Sequence, residues 1–293
     1  MKNIILIIVD GMRKDRMGCY GYEKETTPNI DKFAMENTMF NKCYAPHNNT
    51  LSGFATILTG LNPLAHGLLS HDDDKYFVSD KTIFETMREK GYQNILISPL
   101  TEKCKWMNRS VDVAIDPTKE DDLVYSKHLI KEFNKIKKQQ PFFAVLHFYN
   151  CRHPYVHKYV DNYFNEECDT GTSNQGQEYD NGLRQFDKDI KPLLKEFRGD
   201  DIFIMSDHGV HLGERGVVDQ HFALDSHIVN VPFITNRIKA GPIDSLFSQE
   251  DMSHFIVNRK VRIRKFILAY EKTKRETMAI ITKHGIKKFE KMI

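Results

Sequence analysis

The tightest constraint on the fold lies near the start of the chain, where Lys2 to Val9 (KNIILIIV) is an almost unbroken apolar run that ends at Asp10 and Gly11. A strand without polar alternation cannot turn one face to water, so this run reads as a central strand covered on both faces, which calls for helices above and below a parallel sheet. The rest of the chain supplies the parts. Further apolar runs at Met39 to Tyr44, Gln93 to Ser98, Phe142 to Phe148, Asp201 to Met205 and the VPFI segment ending near 235 alternate with stretches of helical spacing. Thr27-Pro28-Asn29 reads as a helix start, with Thr27 as N-cap and Pro28 at the first helical position. Helices are also expected over Ser79 to Lys90, closed by Gly91, within the charged span Asp116 to Gln140, stopped by Pro141, and over Glu178 to Phe197. The prediction is an α/β fold, a mainly parallel central sheet with helices on both faces. A single boundary is drawn near 236, giving residues 1–235 as the main domain and 236–293 as a short basic C-terminal subdomain.

Open α/β sheets bind ligands beyond the carboxyl ends of their strands. Asp10 follows the first run, Asn150, Arg152 and His153 follow the Phe142 run, and Ser206-Asp207-His208-Gly209 follows the Asp201 run. Between these lies Tyr44 to Gly60 (YAPHNNTLSGFATILTG), which leaves a short strand, passes a polar elbow and enters a helix. A hydroxyl at that elbow, Thr50, sits near a helix N-terminus, where an anionic reaction centre is favoured.

Composition narrows the class. The 293 residues carry 40% hydrophobic and 28% charged side chains, an ordinary globular balance that excludes disordered and fibrous chains. The N-terminal run is too short for a membrane span and lacks a cleavage site, and the five cysteines are scattered without a CxxC pair. These features predict a soluble cytoplasmic protein with neither a disulfide framework nor a zinc knuckle. From Arg259 onward twelve Lys/Arg face three Glu, a net +9 that leaves the preceding residues at −7 within the overall +2. Such a tail is either a solvated helical face or a peripheral contact with a membrane surface; nucleic acid is not expected as a partner.

Asp10, Asp207 and His208 can close on one divalent ion, with the Thr50 oxygen as a fourth ligand. Two carboxylates and an imidazole suit Zn²⁺ or Mn²⁺ first, with Mg²⁺ or Ca²⁺ as alternatives. A metal on the hydroxyl would make threonine a useful nucleophile and neutralise a bound oxyanion. By spacing alone, the same residues serve equally as caps and turn residues.

Four blocks then carry a resemblance: IILIIVDGMRKDRMGCYGYEKETTPNIDKFA, YAPHNNTLSGFATILTGLNPLAHG, KTIFETMREKGYQNILIS and IFIMSDHGVHLGERG. In this order, over positions 3 to about 235, they resemble the sulfatase branch of the alkaline phosphatase superfamily. The resemblance implies an alkaline phosphatase-like fold, metal ligation by Asp10, Asp207 and His208, and a nucleophile at Thr50. Sulfatases carry at that position a cysteine or serine that becomes formylglycine within CxPxR, whereas here Thr50, Ser52 and Phe54 occupy the three motif positions. A direct threonine nucleophile is instead similar to the phosphoryl-transferring members, among them phosphoethanolamine transferases and nucleotide phosphodiesterases. The resemblance further implies that His153 in RHPY and His221 face the transferred group, that His66 in LAHG and Lys103 contribute to substrate binding, that His211 is a weaker candidate, and that Ser52 is the reserve nucleophile. One metal ion and a small anionic ester, carried on a glycan or lipid head group, are the expected cofactor and substrate. The alternatives are a sulfatase or phosphonate hydrolase without formylglycine, and a weakly active relative that binds an anionic glycan or lipid. In the C-terminal region DMSHFIV resembles a subdomain helix and ETMAIITKHGIKKF a strand pair.

Overall fold

The computed structural model describes residues 1–70, 78–118, 126–152, 161, 163–164, 175–216, 218–219, 223–272 and 275–292. Up to the middle of the sheet, these residues form β1 (Ile4–Val9), α1 (Pro28–Met35), β2 (Thr38–Phe40), β3 (Cys43–Tyr44), α2 (Thr50–Thr59), α3 (Pro63–His66), α4 (Ile83–Glu89), β4 (Gln93–Ile97) and β5 (Val113–Ile115). There follow α5 (Ser126–Lys135), β6 (Phe142–Phe148), α6 (Gln175–Glu196), β7 (Asp201–Ser206), β8 (His211–Leu212), β9 (Val218–Asp219), α7 (Ser226–Val229), β10 (Asn230–Val231) and β11 (Phe233–Thr235). The chain finishes with β12 (Pro242–Ile243), β13 (Phe247–Ser248), α8 (Met252–Asn258), β14 (Phe266–Lys272), β15 (Arg275–Thr282) and β16 (Gly285–Met292).

β1 is the centre of an eight-stranded sheet ordered β12-β2-β11-β7-β1-β6-β4-β5. Its neighbours β6 and β7 both run parallel to it, in register from Ile4 to Val9. All six of its side chains are buried, and they alternate between two cores: Ile4, Leu6 and Ile8 pack with α2, α4 and α8, while Ile5, Ile7 and Val9 pack with α1, α5 and α6. Each buried side chain contributes about 2 kcal/mol of transfer free energy, which explains why no polar residue interrupts the run. Only β11 opposes its neighbours, pairing antiparallel with both β7 and β2. The expected mainly parallel sheet with helices on both faces is therefore present.

Several boundaries differ from the sequence reading. Met39 to Tyr44 is two strands in two sheets, because the polar Asn41-Lys42 turn lets the chain leave the main sheet after Phe40 and pair Cys43–Tyr44 with β10 and β13. The helix expected from Ser79 starts at Ile83, where Thr82 and Glu85 form a capping box and Glu85 accepts the Thr82 N–H at 2.6 Å. The turn-rich LNPLAHG contains the single helical turn α3, and α6 begins at Gln175 rather than at 178. Of the charged span 116–140, residues 119–125 lie outside the described part, and the helix that follows ends at Lys135.

After position 235, β12 adds an edge to the main sheet, β13 joins β3, and α8 packs its Phe255 and Ile256 into the α2 core. The strands β14, β15 and β16 form a separate antiparallel sheet, whose Ile267, Ala269, Ala279 and Ile281 close over Tyr44 and the α7 region. The strand pair expected here has a third member, β14. No helix among the described residues is long and apolar enough to cross a membrane.

Candidate active site

The polar residues converge where β1, β6 and β7 end. α2 enters this point with Asn49 as its N-cap, the Asn49 side chain accepting the Ser52 N–H at 2.9 Å, so Thr50 is the first helical residue and its hydroxyl lies at the positive end of the helix. Thr50 Oγ1 lies 3.2 Å from Asp10 Oδ2 and 3.1 Å from His208 Nε2. His208 Nδ1 lies 2.9 Å from the Gly209 carbonyl, which can only accept, so Nδ1 carries the proton and Nε2 presents a lone pair. One hydroxyl hydrogen therefore faces two acceptors.

Asp207 completes the arrangement. Its Oδ1 accepts from the backbone N–H of His208 at 2.9 Å and of Gly11 at 3.2 Å, which fixes the carboxylate and aims Oδ2 into the cluster without a hydrogen-bond partner. His208 Nε2 lies 3.4 Å from that oxygen and 3.9 Å from Asp10 Oδ1. Thus the structure brings together Asp10, Thr50, Asp207 and His208, the four residues expected to hold a metal.

It also adds His147, which the sequence reading missed. His147 sits inside β6 on the face that looks toward α2, its ring 4.3 Å from that of Phe54. Its Nδ1 is 2.9 Å from Ser98 Oγ, while Nε2 has no hydrogen-bond partner and lies 3.9 Å from Asp10 Oδ2. Ligand atoms of Asp10, His147 and Asp207 all fall within 4.8 Å of one another. Two orphaned buried polar atoms, one nitrogen and one carboxylate oxygen, in a nitrogen-and-oxygen donor set are what a divalent transition metal would satisfy, so the residues fit such an ion. The only sequence signal for His147 is that it is the one ionisable residue in an otherwise apolar strand, FFAVLHF.

Electrostatics agree with a missing positive charge. Burial, then the Asp207 charge, raise the Asp10 carboxyl to about 6, against the opposing pull of His208 and Arg152. Burial holds His147 well below the usual imidazole range, with Arg152 and His208 adding to the effect. Arg152 is a second residue with no role in the sequence reading: its Nη1 lies 3.5 Å from Asp10 Oδ2, its guanidinium rests on the Tyr149 ring, and its side chain is 45% exposed. Among the described residues it places a half-exposed positive charge at this end of the sheet.

A buried scaffold holds the β7 end against the elbow. The Gln249 amide donates to the carbonyls of Ser206 and Asp207 at 2.7 and 2.8 Å, which leaves its oxygen to accept from His47 Nε2 at 2.8 Å. Gly53, in the first turn of α2, is pressed between them; a Cβ there would lie 2.9 Å from His47 Cε1 and 3.2 Å from Asp207 Cβ.

Other expected residues lie elsewhere. His66 is buried, with Nδ1 accepting the Leu68 N–H and Nε2 3.1 Å from Thr56 Oγ1, so both nitrogens serve the α2–α3 turn and neither is left for a substrate. Burial lowers its pKa to about 4. Lys103 is exposed on the turn after β4, and His211 is buried on β8 with Nε2 3.4 Å from Asp225. Ser52 is buried in the first turn of α2, its hydroxyl unpartnered. His153 and His221 lie outside the described residues.

The profile of the Sulfatase family matches residues 2–258. An arylsulfatase of Clostridium perfringens is 34% identical over 98 residues, 33% of this chain and 20% of that protein. Human arylsulfatase A is 30% identical over 95 residues, 31% of this chain and 19% of the relative. The matched stretches thus span about a fifth of these relatives. Among solved structures, a 2-O GAG sulfatase superposes with TM-score 0.74 at 15% identity, covering 99% of this chain and 85% of that one. The soluble domain of lipooligosaccharide phosphoethanolamine transferase A from Neisseria meningitidis gives 0.70 at 16%, covering 87% of each chain. A protein of the alkaline phosphatase superfamily from Vibrio parahaemolyticus gives 0.70 at 16%, covering all of this chain and 82% of that one. At these identities the structural likenesses establish the fold.

Proposed function

Because the chain belongs to the sulfatase family, in the alkaline phosphatase-like fold, we propose that it is a metal-dependent hydrolase or transferase of phosphate esters in which Thr50 is the nucleophile. One observation carries the reading: a buried threonine hydroxyl at a helix N-terminus, shared between Asp10 and the bare Nε2 of His208. Threonine cannot become formylglycine, which separates this site from the sulfatases that share its surroundings.

Asp10, Asp207, His208 and the Thr50 oxygen would hold the ion, with His147 beside them. When bound, a divalent metal supplies Lewis-acid stabilisation of the nucleophile and of the oxyanion. Asp10 Oδ2, 3.2 Å from Oγ1, accepts the Thr50 proton as Oγ1 attacks phosphorus. The bond to the ester oxygen breaks, the leaving alkoxide takes a proton from solvent or from a side chain such as His153 or His221, and a phosphothreonine remains. Water, or an acceptor alcohol, then attacks phosphorus and restores the hydroxyl. Arg152 draws the anionic ester to the mouth of the site, and the α2 N-terminus favours its charge. The substrate proposed is a small anionic ester borne by a glycan or a lipid head group, a class suggested by the likeness to a GAG sulfatase and to a lipooligosaccharide phosphoethanolamine transferase. Contact with a membrane surface through the basic C-terminal region is part of the same proposal; Phe266, Met278 and Phe289 are exposed there among lysines.

The test is turnover on a panel of aryl phosphate monoester, phosphodiester, phosphonate and sulfate, with each divalent metal supplied. Phosphoester turnover, together with a Thr50 adduct of one phosphoryl group in the intact mass, is expected. Sulfate turnover by a protein with unmodified Thr50 would select the formylglycine-free sulfatase instead, and metal binding without turnover of any ester would select the binding-only relative.

A further inference from the structure

The amino-terminal end of the sheet has the opposite electrostatic character. Asp201, the first residue of β7, has a side chain only 3% exposed, yet three cations share it: Arg237 Nη1 donates to Oδ2, Arg259 Nη2 lies 3.5 Å from the same oxygen, and Lys2 Nζ lies 3.9 Å from Oδ1. Lys90 faces the same space. Lys2, Lys90, Arg237 and Arg259, with Tyr92 and Val257, line a cavity of about 360 Å³ that has no acidic residue among the described residues of its wall. Arg237 is the anchor. Its side chain is 6% exposed, Nη2 donates to the Ile256 carbonyl at 2.6 Å, and Nε is buried without a partner.

Asp201 is shared by three of these cations and Lys90 adds its charge at the same cavity, so positive charge exceeds negative there. A tetrahedral dianion, which accepts several N–H donors at once, matches such a group of cations. We infer that this cavity is a second ligand site, for a phosphate or sulfate group. At about 360 Å³ it lies at the small end of ligand pockets and exceeds a bare oxyanion. The Tyr92 ring and Val257 give the surplus an apolar wall, suited to the sugar of a monosaccharide ester. The site is distinct from the elbow, because the six residues of β7 separate the two ends by about 20 Å. It stands independently of the reaction assigned to Thr50.

The test measures binding of inorganic sulfate, inorganic phosphate, glucose 6-sulfate and uncharged glucose by calorimetry and by ligand-dependent Tm, at low ionic strength with a chelator present. The wild-type protein is compared with a Lys90→Ala/Arg259→Gly double variant. Arg259 has φ +59, a conformation that glycine adopts without strain, and both substituted side chains are on the surface, so the fold is retained. The anions are expected to bind the wild type and to weaken about tenfold or more in the variant, with glucose binding neither. A tighter ester assigns the Tyr92–Val257 wall to its sugar, and equal affinities assign the site to the free ion; either supports an oxyanion site. Equal anion affinity in wild type and variant, or no binding to the wild type, overturns the inference. Thr50→Ala serves as the control, and it should leave these affinities unchanged whatever becomes of the catalytic reading.

Discussion

β7 carries an aspartate at each end, and the fold surrounds the two in opposite ways. Asp201 at its start is ringed by Lys2, Arg237 and Arg259, so positive charge is left over. Asp207, just past its end, lies beside Asp10, His147 and His208, and among the described residues the half-exposed Arg152 reaches only the Asp10 carboxylate. The strand between them holds the two imbalances about 20 Å apart, too far for one to cancel the other. A rigid parallel sheet can thus maintain an excess of each sign at opposite ends, and each excess names the ligand that relieves it: a divalent cation at the carboxyl end, an oxyanion at the amino end.

The sharpest way to break this contrast is chemical. Thr50→Ala should lower phosphoester kcat/KM by about a thousandfold while leaving Tm within a degree or two, whereas Thr50→Ser should recover most of the rate. Next comes stability at the amino end. Asp201→Asn leaves buried Arg237 without its carboxylate and should destabilise by about 3 kcal/mol, read by urea unfolding. A third test uses pH on metal-free protein. Asp10 titrates near 6 in the fold against 3.8 as its ordinary value, so its stabilising contribution is fully present below about pH 4 and is lost as the pH rises through 6. The loss should be on the order of 2 kcal/mol and should vanish in Asp10→Asn. Should stability instead rise across that window, the carboxyl end is not short of positive charge. His147→Gln should weaken Mn²⁺ or Zn²⁺ binding about tenfold, with little change in the metal-free Tm. The smallest effect is the most telling about sign. Asp207→Asn should raise the stability of the metal-free protein by about 1 kcal/mol, since it removes a like charge beside Asp10, and at the same time abolish the Tm rise on adding metal.

Much of this was legible in the residues themselves. The β1 run followed by Asp10, the polar elbow before an apolar helix, and Asp207-His208 after β7 all announce strand ends, and strand ends are where an α/β sheet gathers its polar groups. That rule looks only past the last apolar residue, which is why it passed over His147: the side chain lies within β6, registered with Ile8, and reaches the cluster from the sheet face. Gln249 was out of reach for a different cause. It is 42 residues from Asp207 along the chain, beyond the segment read as catalytic, and only the packing of β13 and α8 brings its amide to the β7 carbonyls. His66 misled because a histidine beside the elbow satisfies a turn as readily as a substrate, and neither sequence spacing nor composition tells the two apart.

The place of β1 in the sheet also bears on how the protein is made. It precedes the other strands of its sheet in the chain, and its partners β6 and β7 begin only at positions 142 and 201. At translation rates of about 5–20 residues per second, the IILIIV segment waits roughly 10–40 s before both flanks exist. During that interval a flat, uncharged β-forming stretch is exposed with its hydrogen-bonding edges open, the condition under which chains pair with one another instead. Yield in the cell should therefore respond to synthesis rate and holdase supply as well as to the stability of the finished fold.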